Sequence, residues 1–329
     1  MRFPDGVDAQ PEVLARSAAA ISAALSDIGP VQERAVIALV GVGASEHIAR
    51  AAAPAWRASG LRTVAVPSAE LMEAGAQVAD VHVGLSESGR SAETVSALTT
   101  VDGRRLGVTN VADSPLAEVV DELLLLDSGP DSPVYTTGYT ASLQAMGMLG
   151  EHWAGKDSDW SELPAFASSV LTQSAAVVDA VADRFESARI IDVVAGPSGA
   201  ATAGEGALIL REAARAHTAA HETHGYLHGP MEPLDSRTAC IIAGHGREVR
   251  LAEQVSRIGC PTLLLTTHES VEPAGNLVVL RLPAVWSPLA LAVLEILPVQ
   301  VLAWRLADGR GLAVDGFRYQ QDDTKLGDQ

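Results

Sequence analysis

Residues 34–45 read RAVIALVGVGAS. Val36 to Val40 form an unbroken aliphatic run, and Gly41 and Gly43 then let the chain turn sharply where a side chain would not fit. A continuous apolar strand that breaks on glycine and passes at once into an alanine-rich helix, here over 46–59, is buried on both faces. That is the property of a parallel sheet covered by helices on either side. The programme recurs outward from this point. A helix over 10–25 precedes it. Strands at 63–66, 81–85, 105–109 and 123–126 follow, with helices at 69–74 (stopped by Gly75), 92–99 and 139–152. A polar, tryptophan-containing break at 157–164 leads into a long helix over 166–187. The same opening then returns as a strand at 190–194, the loop GPSGA at 196–200 and a helix over 202–216. Strands at 238–243, 262–266 and 277–282 and helices at 248–258 and 289–306 complete the chain. The pattern predicts an α/β protein of two doubly wound, flavodoxin-like domains, 1–156 and 157–312, related by a weak internal duplication, with a tail over 313–329 closing over the site. Ligands of such sheets sit at the carboxyl ends of the strands.

The 329 residues suffice for two ordinary domains, and 47% hydrophobic residues supply their cores. A formal charge of −18 argues against nucleic acid and against anionic membrane surfaces as partners. It leaves a small phosphorylated ligand open, because hydroxyls and helix N-termini can hold an anion within an acidic protein. Cys240 and Cys260 form no CxxC and read as buried, reduced thiols. No N-terminal signal is evident, and no apolar run is expected to span a membrane; 284–306 comes closest, broken by prolines and Glu295. A cytoplasmic protein is the expectation.

Two loops stand where parallel strands end. GVGAS offers Gly41 and Gly43 for backbone approach to a ligand and Ser45 as a helix N-cap. It is no dinucleotide fingerprint, since Glu46 stands where GxGxxG needs glycine, and no Walker GK[ST] occurs. The stretch 86–91, Ser-Glu-Ser-Gly-Arg-Ser, is either a serine-rich turn or a phosphate cradle. In the second case Ser86, Ser88, Ser91 and the N-terminus of the next helix aim donors at one anion.

The stretch 204–230, GEGALILREAARAHTAAHETHGYLHGP, carries the other candidate chemistry. Leu208, Leu210, Ala213 and Ala214 allow a buried helical face, and Glu212 lies beside it. Such a carboxylate is either paired with Arg211 or Arg215, or is an acid/base held among apolar groups. His228, followed by Gly229-Pro230, is placed on a loop tip, as a turn residue or as a second proton-transfer group. His217, His221, His224 and His228 crowd the segment, but there is no HExxH, so no metal site is expected.

In this order, GVGAS, SESGRSAET, YTTGYTASL (135–143), ALILREAA and YLHGP resemble the SIS (sugar isomerase) domain family over roughly residues 30–320. The likeness is to its tandem members: the isomerase half of glucosamine-6-phosphate synthase, amino-sugar-phosphate deaminases and fructosamine-phosphate deglycases. The resemblance implies that Ser45, Ser86, Ser88 and Ser91 hold a sugar phosphate and that Glu212 moves protons. It implies that His228 opens the sugar ring and reaches in from a neighbouring subunit, so that a homodimer shares its sites. Gly43, Glu87, Thr136 (with Tyr135 and Thr137) and Lys325 are the further candidates at the substrate, and the resemblance implies no cofactor or metal. Departures are visible. Glu87 replaces the glutamine of SQSG, and Ile209 the first lysine of LKLKE. Asp322 stands at the ungapped position of the Schiff-base lysine, with Lys325 three residues on, in a stretch that also reads as an exposed acidic tail. No glutaminase domain precedes the pair, which predicts against glutamine-driven synthesis. The expected activity is a sugar-phosphate aldose/ketose isomerase or deaminase acting on a phosphorylated amino sugar. A deglycase and a non-catalytic sugar-phosphate-binding regulator are the alternatives.

Overall fold

A computed structural model describes residues 1–74, 78–314 and 316–327; the expected stop at Gly75 and the end of the tail lie outside them. In chain order, α1 (Phe3–Asp8) and α2 (Gln10–Leu25) precede β1 (Val36–Gly41), α3 (Ala44–Ala58), β2 (Arg62–Pro67), α4 (Ser68–Ala74) and β3 (Val81–Leu85). Then come α5 (Ala92–Thr99), β4 (Arg104–Thr109), α6 (Pro115–Val119), β5 (Glu122–Leu125) and α7 (Thr137–Trp153). The remainder is α8 (Leu163–Glu186), β6 (Ile190–Ala195), α9 (Ala200–Glu212), β7 (Thr218–Glu222), α10 (Thr223–Tyr226) and β8 (Thr238–Ala243). It ends with α11 (Arg247–Ile258), β9 (Thr262–Thr266), β10 (Leu277–Arg281) and α12 (Pro288–Gly309). The strands form two five-stranded sheets, ordered β2-β1-β3-β4-β5 and β10-β9-β8-β6-β7, and every pairing is parallel.

The chain divides into two compact units. One holds the first sheet with residues 9–131, 137–164 and 318–329, and the other holds the second sheet with residues 1–8, 132–136 and 165–317. In the first unit, Ala38, Val40, Val66, Leu71, Val95, Leu98 and Leu116 form a dry layer under α4, α5 and α6. On the other face the Trp56 indole of α3 donates to the Met146 carbonyl of α7 at 2.9 Å. Gly41 ends β1 where a Cβ would come within 2.8 Å of the Ser45 backbone, so only glycine lets α3 begin this close to the strand. In the second unit, Val194, Tyr226, Cys240, Ile242, Leu251, Val255, Cys260 and Leu264 pack between the sheet and α11. Both cysteines are buried and free there.

Four expectations are corrected. The helix expected over 202–216 stops at Glu212, and residues 218–222 form the edge strand β7. Arg215 takes a left-handed φ of 52° and the Ala216 amide caps back to the Leu210 carbonyl at 3.1 Å. Among the described residues edge strand β7 pairs only with β6, and its sequence TAAHE has little β propensity to announce it. Ser45 does not cap α3: Gly43, at φ 59°, holds the N-cap position, and Ser45 lies within the first turn. The short helices α1 and α6 were also not expected; Phe3 of α1 is fully buried. Finally, Trp160–Glu186 and Pro288–Gly309 are long and apolar enough to cross a membrane. Most of the second is buried, with even Glu295 and Gln300 inside the protein.

Candidate active site

In the first unit the serine loop leaves β3 and is pinned by its own backbone. Ser86 N donates to the Val108 carbonyl at 3.1 Å, Asn110 N to the Glu87 carbonyl at 2.8 Å, and Leu116 N to the Gly89 carbonyl at 2.9 Å. Gly89 turns at φ 65° directly against Ser114, where a Cβ would meet the hydroxyl at 2.2 Å. Pinned in this way, the hydroxyls converge. Ser86 Oγ donates to Ser91 Oγ at 3.1 Å and accepts the Ser91 N–H at 3.3 Å, and Ser91 stands at the N-cap of α5. Ser88 Oγ accepts Lys325 Nζ at 3.1 Å.

Lys325 arrives because the tail runs antiparallel beside the loop. Ser91 and Lys325 form a β-bridge, Ala92 N donates to the Thr324 carbonyl at 3.2 Å, and Leu326 N to the Arg90 carbonyl at 2.9 Å. Lys325 is exposed as a residue, but partial desolvation of its ammonium against the loop pulls its pKa below the usual lysine value, opposed by the charges of Glu87 and Glu93. Glu87 itself lies on the first turn of α7. A Cβ on Gly138 would come within 2.7 Å of Glu87 Cγ, so the glycine makes room for it, and the positive end of the helix suits a carboxylate. In the loop after β1, Gly43 is exposed and Ser45 half-buried.

The second unit holds the other candidates. Glu212 is the last residue of α9, half-buried, and burial pushes its carboxyl up to about 7. Neither neighbouring arginine neutralises it among the described residues. Arg211 turns to Thr218, donating from Nε to the hydroxyl at 3.0 Å and from Nη2 to the carbonyl, and Arg215 is exposed. Two turns earlier on the same helix Glu205 is 2% exposed, and its Oε2 has no partner among the described residues. Burial, reinforced by Glu212, holds Glu205 well above the carboxylate range. Sequence reading passed over Glu205; its seven-residue spacing from Glu212 was the available signal.

His228 is exposed on the turn after α10, its N–H on the Gly225 carbonyl at 3.1 Å, with Gly229 at φ 136°. The anchor of this turn is Tyr226, fully buried, whose hydroxyl donates to Asp192 Oδ2 at 2.7 Å. The His221 ring tilts against Tyr226 with centroids 4.8 Å apart, and its Nε2 is 3.8 Å from Asp192 Oδ1. His221 is thereby engaged in holding the loop. Thr136 is fully buried in this unit, its carbonyl accepting Gln300 Nε2 at 3.3 Å. Ser86, Ser88, Ser91 and Lys325 are therefore assembled in one unit, while Glu212, His228 and Thr136 belong to the other.

The architecture has solved counterparts. The C-terminal domain of glucosamine-fructose-6-phosphate aminotransferase from Francisella tularensis superposes with a TM-score of 0.83 at 20% identity, covering 95% of this chain and 97% of that one. A glucosamine-6-phosphate deaminase from Thermotoga maritima gives 0.82 at 20% identity, with 98% of each chain covered. The chain shares their fold. Sequence relatives agree. Glutamine–fructose-6-phosphate aminotransferase of Thermus thermophilus is 27% identical over 256 residues, 71% of this chain. That of Gloeobacter violaceus is 29% identical over 255 residues. The chain spans about 42% of the length of these curated relatives. No family model matches it.

Proposed function

We propose that this protein is a tandem SIS-domain enzyme that isomerises or deaminates a phosphorylated amino sugar. The observation that carries the reading is Glu212, a half-buried carboxylate with no cation beside it among the described residues and a pKa of about 7. Such a group can take and return a carbon-bound proton near neutral pH. The sugar phosphate anchors on Ser86, Ser88, Ser91 and Lys325, with Ser45 and the Gly43 backbone assisting. His228, exposed on its anchored turn, opens the ring from a second copy of the chain in a homodimer. Glu212 then removes the proton from C2 of the open amino aldose, and the electron pair moves to form an enaminol. Return of the proton at C1 leaves an imine at C2, which water hydrolyses to ketose phosphate and ammonia. Without nitrogen, the same shift interconverts aldose and ketose. The sequence likeness to amino-sugar-phosphate enzymes supports this class, and a cytoplasmic location accords with the substrate.

The test is proton exchange followed by NMR in heavy water, with fructose 6-phosphate, glucosamine 6-phosphate, galactosamine 6-phosphate and fructosamine 6-phosphate. Deuterium entering C1 or C2 supports the shuttle, and release of ammonia or of an amino acid separates deaminase from deglycase. Binding without exchange on every compound would instead make the protein a sugar-phosphate sensor. Lys325→Met is expected to weaken sugar-phosphate binding about ten- to a hundredfold, the scale of a lost charge-assisted hydrogen bond. Unchanged affinity by calorimetry would remove Lys325 from the site.

A further inference from the structure

The second sheet has a crevice of its own. In each unit strand order reverses beside the first strand, between β1 and β3 and between β6 and β8. Open α/β sheets take ligands outside the carboxyl ends of their strands at such points. The Ser86 loop lies there in the first unit. In the second, the segments after β6, β8, β9 and β10 enclose a cavity of about 230 Å³, whose lining includes Ser198, His245, Thr267, Trp286 and Glu295. None of the residues proposed for the sugar-phosphate reaction lines it.

Two features define what this cavity can hold. The anion position is filled from within. Glu248, 9% exposed in the first turn of α11, accepts the Gly246 N–H at 3.3 Å. Its carboxylate oxygens lie 3.2 and 2.7 Å from where Cβ atoms of Gly196 and Gly244 would stand. Where the serine loop presents hydroxyls to an anion, this loop wraps its backbone around its own carboxylate, and a phosphate would meet repulsion. The cavity wall is also short of positive charge. Glu295, 4% exposed, accepts the Thr202 hydroxyl on Oε2 at 2.6 Å, and its Oε1 has no hydrogen-bond partner among the described residues. Burial and the nearby Glu248 push Glu295 up to about 7.

We propose that this second crevice binds a small ammonium-bearing polyol, of the class of unphosphorylated amino sugars. The ammonium would sit on Glu295 Oε1, the hydroxyls on Ser198, Thr267 and His245, and the apolar face on the Trp286 indole. The site is independent of the one that holds the sugar phosphate.

Calorimetric titration with glucosamine, beside glucose and glucose 6-phosphate, tests this in four proteins. Wild type and Ser86→Ala are expected to bind glucosamine equally. Glu295→Gln keeps the acceptor for Thr202 and the shape of the cavity, and should bind it at least about tenfold more weakly. Ser198→Trp fills the cavity from its exposed rim and should not bind; it also answers the question if Glu295→Gln fails to fold. Glucose binding as tightly as glucosamine would overturn the ammonium assignment. Loss of glucosamine binding in Ser86→Ala, indifference to both cavity variants, or no binding by wild type would overturn the site.

Discussion

Glu212→Gln is expected to lower kcat about a thousandfold while leaving affinity for the sugar phosphate within a few-fold of wild type. Glutamine matches the shape of the carboxyl but cannot carry a proton between carbons, and the proposed phosphate anchor is made of other residues. The pH dependence follows from the same group. A base must be ionised to work, and burial holds Glu212 protonated up to about 7. Activity should therefore rise with pH through that value, and the residual activity of Glu212→Gln should lose this limb. Steady-state kinetics with binding measured separately decides the matter. A variant retaining most of its kcat would exclude Glu212 as the proton carrier and leave Glu205 as the nearest carboxyl on α9.

The second large effect is structural. Trp56→Ala should destabilise the first unit by about 3–5 kcal/mol, the range for emptying an aromatic core position. Trp56 is 2% exposed and donates to Met146, and its ring meets Trp153 edge-on with centroids 5.5 Å apart. The space it fills exists because α7 carries Gly150, where a Cβ would stand 2.2 Å from the indole nitrogen. No neighbour can collapse into that volume without moving a helix. Urea unfolding would show the loss as a lower midpoint. A change below about 1 kcal/mol would mean that the α3–α7 contact is not a principal source of stability.

Much of this was legible in the chain itself. The buried strands were visible as continuous apolar runs, and β3 and α5 fall on the expected residues because Ser86 and Ser91 punctuate them. Edge strand β7 was not legible: it is half exposed and, among the described residues, pairs on one side only, so neither apolar continuity nor clean alternation marks TAAHE. The short helices α1 and α6 are too brief to show a period. Among candidate residues, the spacing of the serines left two readings, a turn or a phosphate cradle. Glu212 could be read only as one of two alternatives, paired or buried.

By itself the sequence determined the alternation of strand and helix, two parallel sheets, and the glycine- and serine-rich loops that follow their strands. These follow from local patterns of apolar residues and glycines, which act over a few positions. Tertiary structure alone decided that Arg211 turns to Thr218 and leaves Glu212 without its cation, and that Lys325 lies on Ser88 across 237 positions of sequence. It alone decided that Glu248 folds back against Gly196, Gly244 and Gly246 at the ends of the second sheet's strands. The reason is physical. A side chain's charge state and partners depend on what burial removes from water around it, and that is set by residues far away in the chain.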